Sequence, residues 1–179
     1  RRRAFLRGVE ISGTAAGNNF SLPKGPARDA QIAYVKKWID HAAVLGAPHI
    51  RVFAGRAPKG VTREEADKWA IAALRKCCDH AGKHGIFLGI ENHDSIGDAD
   101  SLLRFVKAVD HEWFAVNLDS GNFRTADPYA DFAAAAPFAV NVQVKVEMRM
   151  GGQVKATDLN RIAALLRKAT YQGYVTLEY

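Results

Sequence analysis

A parallel α/β fold is predicted by three observations. Short runs rich in Val and Ile alternate with stretches of helical periodicity, the connections between them are short, and polar residues gather where the apolar runs end. The candidate strands are Gly8 to Ser12, His49 to Phe53, Ile86 to Glu91, Phe114 to Asp119, Ala139 to Lys145 and Tyr174 to Glu178. The first helix spans Ala30 to Leu45, where Ile32, Val35, Ile39, Ala42 and Ala43 share a face and Gly46 supplies a stop. Thr62 with Glu65 three residues on is a capping box that opens a second helix through Trp69, Leu74 and Ala81. Asp98 opens a third with Leu102, Phe105, Val106 and Val109, and a short one is expected from Pro128 to Ala136. Thr157 precedes the last, which places Leu159, Ile162, Ala163, Leu166 and Ala169 on its apolar face.

Strand, helix, strand in repetition implies parallel pairing with right-handed crossovers, in a barrel or a doubly wound sheet. Six strands fall short of the eight that close a barrel, and no helix follows the sixth to cover its outer face. A chain that lacks two βα units before Arg1 and one helix after Tyr179 accounts for both features. A complete, open six-stranded sheet is the alternative, but no glycine-rich phosphate loop follows the first strand, as the doubly wound type would require. The expected fold class is therefore α/β, a partial (β/α)8 TIM barrel, with residues 1–179 forming one domain.

Composition narrows the function classes. With 48% hydrophobic and 25% charged residues the chain can bury a core, and no apolar stretch approaches the roughly 20 residues of a membrane span. Arg1, Arg2 and Arg3 are not followed by an apolar run of signal-peptide length. The only two cysteines, Cys77 and Cys78, are adjacent on a predicted helix, where their side chains diverge and neither a mutual disulfide nor a shared metal is expected. That usage fits a reducing, cytoplasmic compartment. The net charge of +6 favours anionic small molecules, but half of it comes from the three leading arginines, and it does not establish nucleic-acid binding. Neither nucleic acid nor membrane is expected as a partner.

Ligands of parallel α/β folds bind at the carboxyl ends of the strands. Here the third strand ends Gly89-Ile90-Glu91-Asn92-His93, the fourth Asn117-Leu118-Asp119-Ser120-Gly121-Asn122, the fifth Asn141-Val142-Gln143-Val144-Lys145 and the sixth Thr176-Leu177-Glu178-Tyr179. Three carboxylates around one barrel mouth repel unless a cation neutralises them, and an all-oxygen set of Glu91, Asp119, Gln143 and Glu178 suits Mg²⁺, Mn²⁺ or Co²⁺ better than Zn²⁺. Other readings of the same residues stay open. The two glutamates can pair with a neighbouring Lys or Arg, Asp-Ser-Gly-Asn is also good turn chemistry, and Gln143 can serve backbone groups. At the end of the second strand Arg51 and Arg56 can bind a sugar hydroxyl or phosphate, or bridge to the barrel carboxylates.

In this order and spacing the four strand ends resemble those of the xylose isomerase-like barrel superfamily, which includes sugar epimerases, hydroxypyruvate isomerases, inosose dehydratases and endonuclease IV. The resemblance implies one divalent metal held by Glu91, Asp119, Gln143 and Glu178, with Glu91 and Glu178 as the catalytic acid and base on a small polyhydroxylated substrate. It further implies that His93, Asn122, Lys145 and Arg149 bind substrate, and that homo-oligomers are common among such barrels. Two departures stand out: Gln143 replaces the family's usual His, and Lys145-Val146-Glu147 replaces its Lys-Asp pair. Isomerase or epimerase chemistry through an enediolate is the leading expectation. An inosose-type dehydratase and a non-catalytic barrel fragment are the alternatives. An endonuclease IV-like trinuclear zinc centre is disfavoured, because His93 is the only histidine at the four matching strand ends.

Overall fold

The computed structural model describes residues 1–178. Its main sheet has six parallel strands: β1 (Thr14–Ala15), β2 (His49–Val52), β3 (Phe87–Glu91), β4 (Phe114–Asp119), β5 (Ala139–Lys145) and, last in the chain, β8 (Tyr174–Glu178), in the order β1-β2-β3-β4-β5-β8. A separate antiparallel hairpin pairs β6 (Glu147–Met150) with β7 (Gln153–Ala156). The sheet curls into a partial barrel, so residues of β1, β2, β4, β5 and β8 line one interior cavity of about 220 Å³. The Tyr174 hydroxyl donates to Glu10 Oε2 at 2.5 Å and so joins the segment before β1 to the far edge strand.

Strand alternation sorts the side chains. Ile50, Val52, Leu88, Ile90, Val116, Leu118, Val142 and Val144 point outward and are buried under the helices. Gly89, Glu91, Asn117, Asp119, Asn141, Gln143, Thr176 and Glu178 take the opposite face. Around this sheet run α2 (Pro26–Leu45), α3 (Arg63–Lys83), α4 (Ala99–Val109), α5 (Pro128–Ala135) and α6 (Leu159–Lys168), with a one-turn helix α1 (Arg2–Phe5) ahead of β1. The Thr62–Glu65 capping box starts α3, whose inner face of Ala66, Ala70, Ala73, Leu74, Cys77, Cys78 and Ala81 is small enough for close packing. Burial pushes the Cys77 thiol up to about 12 and the Cys78 thiol higher still, so both are packing groups and not nucleophiles. Asp98 caps α4 by accepting from Ser101 N at 2.7 Å.

Three elements differ from the sequence reading. The helix expected from Ala30 begins at Pro26, whose ring is accommodated in the first turn. The first strand is not Gly8 to Ser12 but Thr14–Ala15, because the Ser12 carbonyl is taken by the His49 ring and pairing with β2 begins only at Thr14 opposite Ile50. The residues after Lys145 form the β6–β7 hairpin, which the strand-helix alternation did not contain. Its turn is Gly151-Gly152 with φ of 56° and 82°, the two positive values that a tight two-residue hairpin turn needs. Among the described residues no helix is long and apolar enough to cross a membrane.

Candidate active site at the strand ends

Register brings the chemistry together. Glu91 pairs with Asn117, Asp119 with Gln143, and Lys145 with Glu178, so successive strands deliver their last inward-facing residues to one mouth. An irregularity in the β4–β5 pairing after Val116 brings Asn117 opposite Asn141 and sets this alignment. Glu91 and Asp119 are buried, whereas the Glu178 side chain is 37% exposed at the rim.

Lys145 occupies the centre. Its Nζ lies 2.7 Å from Asp119 Oδ2 and 3.6 Å from Glu178 Oε1, and donates to Asn122 Oδ1 at 3.1 Å. The Lys145 stem crosses Gly121, where an added Cβ would come within 2.6 Å of Lys145 Cδ, so only glycine leaves room for this approach. Asn122 donates in turn to Glu91 Oε1 at 3.0 Å, and Arg51 Nε meets Glu91 Oε2 at 3.0 Å. Arg51 thus adopts the bridge to a barrel carboxylate, while its guanidinium also lies 4.2 Å from the centre of the Phe53 ring. Asn92 fixes the frame: its amide donates to the Asp119 carbonyl at 2.9 Å and accepts from Asp119 N at 2.8 Å.

Charge is unevenly matched. Glu91, Asp119 and Glu178 supply three carboxylates, and Arg51 and Lys145 supply two cations. Burial, with repulsion from Asp119 and Glu178 added and attraction to Arg51 opposing, lifts the Glu91 carboxyl to about 7. Asp119 is also raised by burial, against the pull of Lys145. Burial alone would lower the Lys145 ammonium, but the hydrogen bond and attraction of Asp119, then Glu178 and Glu91, outweigh it and hold the lysine charged. The mouth is therefore short of positive charge, and an ammonium already sits between two of its carboxylates. A divalent cation fits this donor set on both counts, and binding it would displace or push aside Lys145.

Below the mouth runs a chain of amides. Asn141 Nδ2 donates to Asn117 Oδ1 at 2.8 Å, Asn117 Nδ2 donates to Gln143 Oε1, and Gln143 Nε2 donates to Glu178 Oε2. In this arrangement the Gln143 oxygen faces Asn117 and its NH₂ orients Glu178. Beneath them His49, 4% exposed, shares Nδ1 with the Ser12 carbonyl at 2.8 Å. Burial lowers the His49 pKa below its ordinary value. The unfolded chain therefore takes up a proton near pH 6.5 that the folded chain refuses, so stability present above that pH is lost as the pH falls. The raised Glu91 carboxyl works in the opposite sense over the same range, so His49 is read from the difference: as the pH falls from 8 to 5 the urea midpoint of the parent should drop relative to that of His49→Gln, and parallel curves would remove His49 as a cause.

Of the residues singled out from sequence, Glu91, Asp119, Gln143, Glu178, Asn122 and Lys145 form one connected network. His93 stands outside it, with its ring 4.8 Å from that of Phe53 and its Nδ1 3.3 Å from Asp94 Oδ2. Arg149 is exposed on β6, in the hairpin, and makes no hydrogen bond among the described residues. Sequence reasoning gave no role to His49, Asn117 or Asn141, although the two asparagines stand within the strand ends it quoted. Each lies two residues before a residue it did single out, Arg51, Asp119 and Gln143, and the period of two along a strand was the available signal.

A curled parallel sheet with its acidic cluster at the carboxyl ends defines a barrel-type site. The chain belongs to the xylose isomerase-like TIM barrel family, whose family model matches residues 1–179. Among solved structures it is similar to a xylose isomerase-like TIM barrel protein from Mycobacterium smegmatis in complex with magnesium, at 22% identity and TM-score 0.79, covering 99% of this chain and 69% of that one. It is also similar to the 3-keto-D-glucoside 4-epimerase of E. coli, at 16% identity and TM-score 0.80, covering 99% and 74%. D-Psicose 3-epimerase with D-tagatose from Clostridium cellulolyticum H10 matches at 18% identity and TM-score 0.80, covering 98% and 66%. At these identities the likeness is one of fold. No curated protein sequence matches the chain significantly.

Proposed function

We propose that this chain carries the proton-transfer site of a sugar isomerase or epimerase that acts on a small ketose or related hydroxy-ketone with the help of one divalent cation. The observation that supports this reading is the meeting of Glu91, Asp119 and Glu178 from three strand ends around the two cations Arg51 and Lys145, with one carboxyl lifted to about 7. The epimerases among the similar structures point the same way at the level of the fold.

Glu91, Asp119 and Glu178 would hold the cation, joined by Gln143 once its amide turns so that the oxygen leaves Asn117; the cation would supply electrostatic stabilisation to the oxygens of an enediolate. Glu91 of β3 and Glu178 of β8 come from strands on either side of β5, which carries Lys145, and exchange a proton with the substrate carbon between them, one removing it and the other returning it. Glu91 suits this task because a carboxyl poised near 7 gives and takes a proton at neutral pH with little driving force lost. Lys145 and Asn122, tied to both carboxylates, are placed to bind substrate hydroxyls. His93 and Arg149 remain candidates for contacts at the outer rim.

The test is incubation of the chain with Mn²⁺ or Mg²⁺ and a panel of ketoses in D₂O. The expected result is deuterium entering the substrate carbon next to the carbonyl, with cation binding near one equivalent by calorimetry. Well-folded protein that binds no cation and exchanges no proton would sink the reading and favour a non-catalytic barrel. Loss of water from the substrate in place of exchange would move it to a dehydratase.

A further inference from the structure

Far from the barrel mouth, the outer helical layer holds a second cluster of ligand-type side chains. His80 and His84 are four residues apart at the end of α3, so their rings share one face, with centroids 5.0 Å apart. Asp40 of α2 reaches across the helix pair: its Oδ1 lies 2.7 Å from His80 Nε2 and 3.2 Å from His84 Nε2. One ligand atom from each residue falls within 4.8 Å of the other two. Ligands bound tetrahedrally at about 2.0–2.1 Å stand roughly 3.3 Å apart, so the observed spacings need only a small adjustment to admit an ion. Asp40 and His84 are exposed and His80 is half-buried, which leaves an open fourth position to water.

We propose that Asp40, His80 and His84 form a surface site for a borderline transition metal of the Zn²⁺ class that clamps α2 to α3. Two imidazoles and one carboxylate select Zn²⁺, Co²⁺ or Ni²⁺ over Mg²⁺, the reverse of the preference of the all-oxygen mouth. The helical spacing supports the assignment, because two histidines at i and i+4 present their nitrogens to a common point. Asp40 and His80 are separated by 40 residues in sequence. An ion that joins them binds the folded chain and not the unfolded one, and so acts as a staple. Lys36 and Lys76 lie one turn before Asp40 and His80, and their charge moderates affinity without occupying the ligand atoms.

The site is tested on the full chain after saturation with Mg²⁺, which occupies the oxygen ligands of the mouth if they bind metal at all. Calorimetric titration with Zn²⁺ should then show one equivalent in the parent and in Glu178→Gln alike. Substituting a mere outer partner of a metal site costs about 10- to 100-fold in affinity, so Asp40→Asn, His80→Gln and His84→Gln should each weaken binding at least about tenfold. Addition of diamagnetic Zn²⁺ should shift the ring resonances of His80 and His84 and leave that of His49, on the barrel floor, in place. Absence of this equivalent from the parent, or Zn²⁺ affinity unchanged in all three variants, overturns the site. Either result is independent of whether the barrel mouth is an isomerase.

Discussion

Glu91→Gln and Glu178→Gln are each expected to reduce turnover of any ketose that the parent isomerises by about 10²- to 10⁴-fold, the range set by loss of a positioned acid or base. Glutamine keeps the shape of glutamate and can still accept from Asn122 or Gln143, so the fold should survive while proton transfer fails. The two variants should differ in pH dependence. In the cation-free chain burial lifts the Glu91 carboxyl to about 7, so a proton and the cation compete for it; at limiting cation the parent's activity should fall below that pH, and this dependence should vanish from whatever activity remains in Glu91→Gln. Stopped assays of deuterium wash-in across pH 5 to 9 measure both. Turnover within about threefold of the parent in either variant would remove that glutamate from the chemistry.

Replacement of Lys145 by Met is expected to cost about 3 kcal/mol of folding stability in the absence of divalent cation, because it leaves Asp119 buried without its ammonium partner. Asp119 would keep only its hydrogen bond from Gly121 N at 2.7 Å, and its carboxyl would rise further. The same substitution removes the cation that competes for the metal's place. Added Mn²⁺ should therefore restore about 2.7 kcal/mol to Lys145→Met at 100 times that variant's dissociation constant, and should stabilise the parent less at the same concentration. Guanidinium denaturation with and without Mn²⁺ reads both effects. If Lys145→Met is as stable as the parent, or is not rescued by any divalent ion, the lysine is a surface contact and not a stand-in for the metal.

Much of the fold was legible because its strands are bounded by abrupt changes of pattern. The fourth, fifth and sixth strands, Phe114–Asp119, Ala139–Lys145 and Tyr174–Glu178, were read to the residue, and the second and third to within one. Each is an apolar run that stops at a polar residue on the mouth. The first strand was misplaced because the alternation of Gly8 to Ser12 looks like a strand, while what decides pairing is a contact 37 residues away, the His49 ring on the Ser12 carbonyl. The hairpin was missed because Gly151-Gly152 sits between two four-residue strands too short to stand out against the β/α rhythm.

The carboxylates of the site were equally legible, since three acids at three strand ends are hard to arrange by chance. Their pairing was not. Whether Arg51 would face substrate or Glu91, and whether Lys145 would point out or into the cluster, depends on rotamers and on the gap left by Gly121. Neither choice leaves a mark in local sequence. The direction of the Gln143 amide depends likewise on Asn117 and Asn141, which became visible only when the two strands were set in register.

The row of amides from Asn141 through Asn117 and Gln143 to Glu178 also determines where Glu178 can find a proton. Imidazoles and carboxyls pass protons along by taking one on one side and releasing one on the other; primary amides at neutral pH do not. The row therefore holds Glu178 by hydrogen bonds and at the same time insulates it from the barrel floor, His49 included. Exchange with bulk water has to enter from the mouth, past whatever substrate lies there. A substrate that seals the mouth traps the abstracted proton, so a fraction of it should return to the carbon skeleton it left before solvent replaces it.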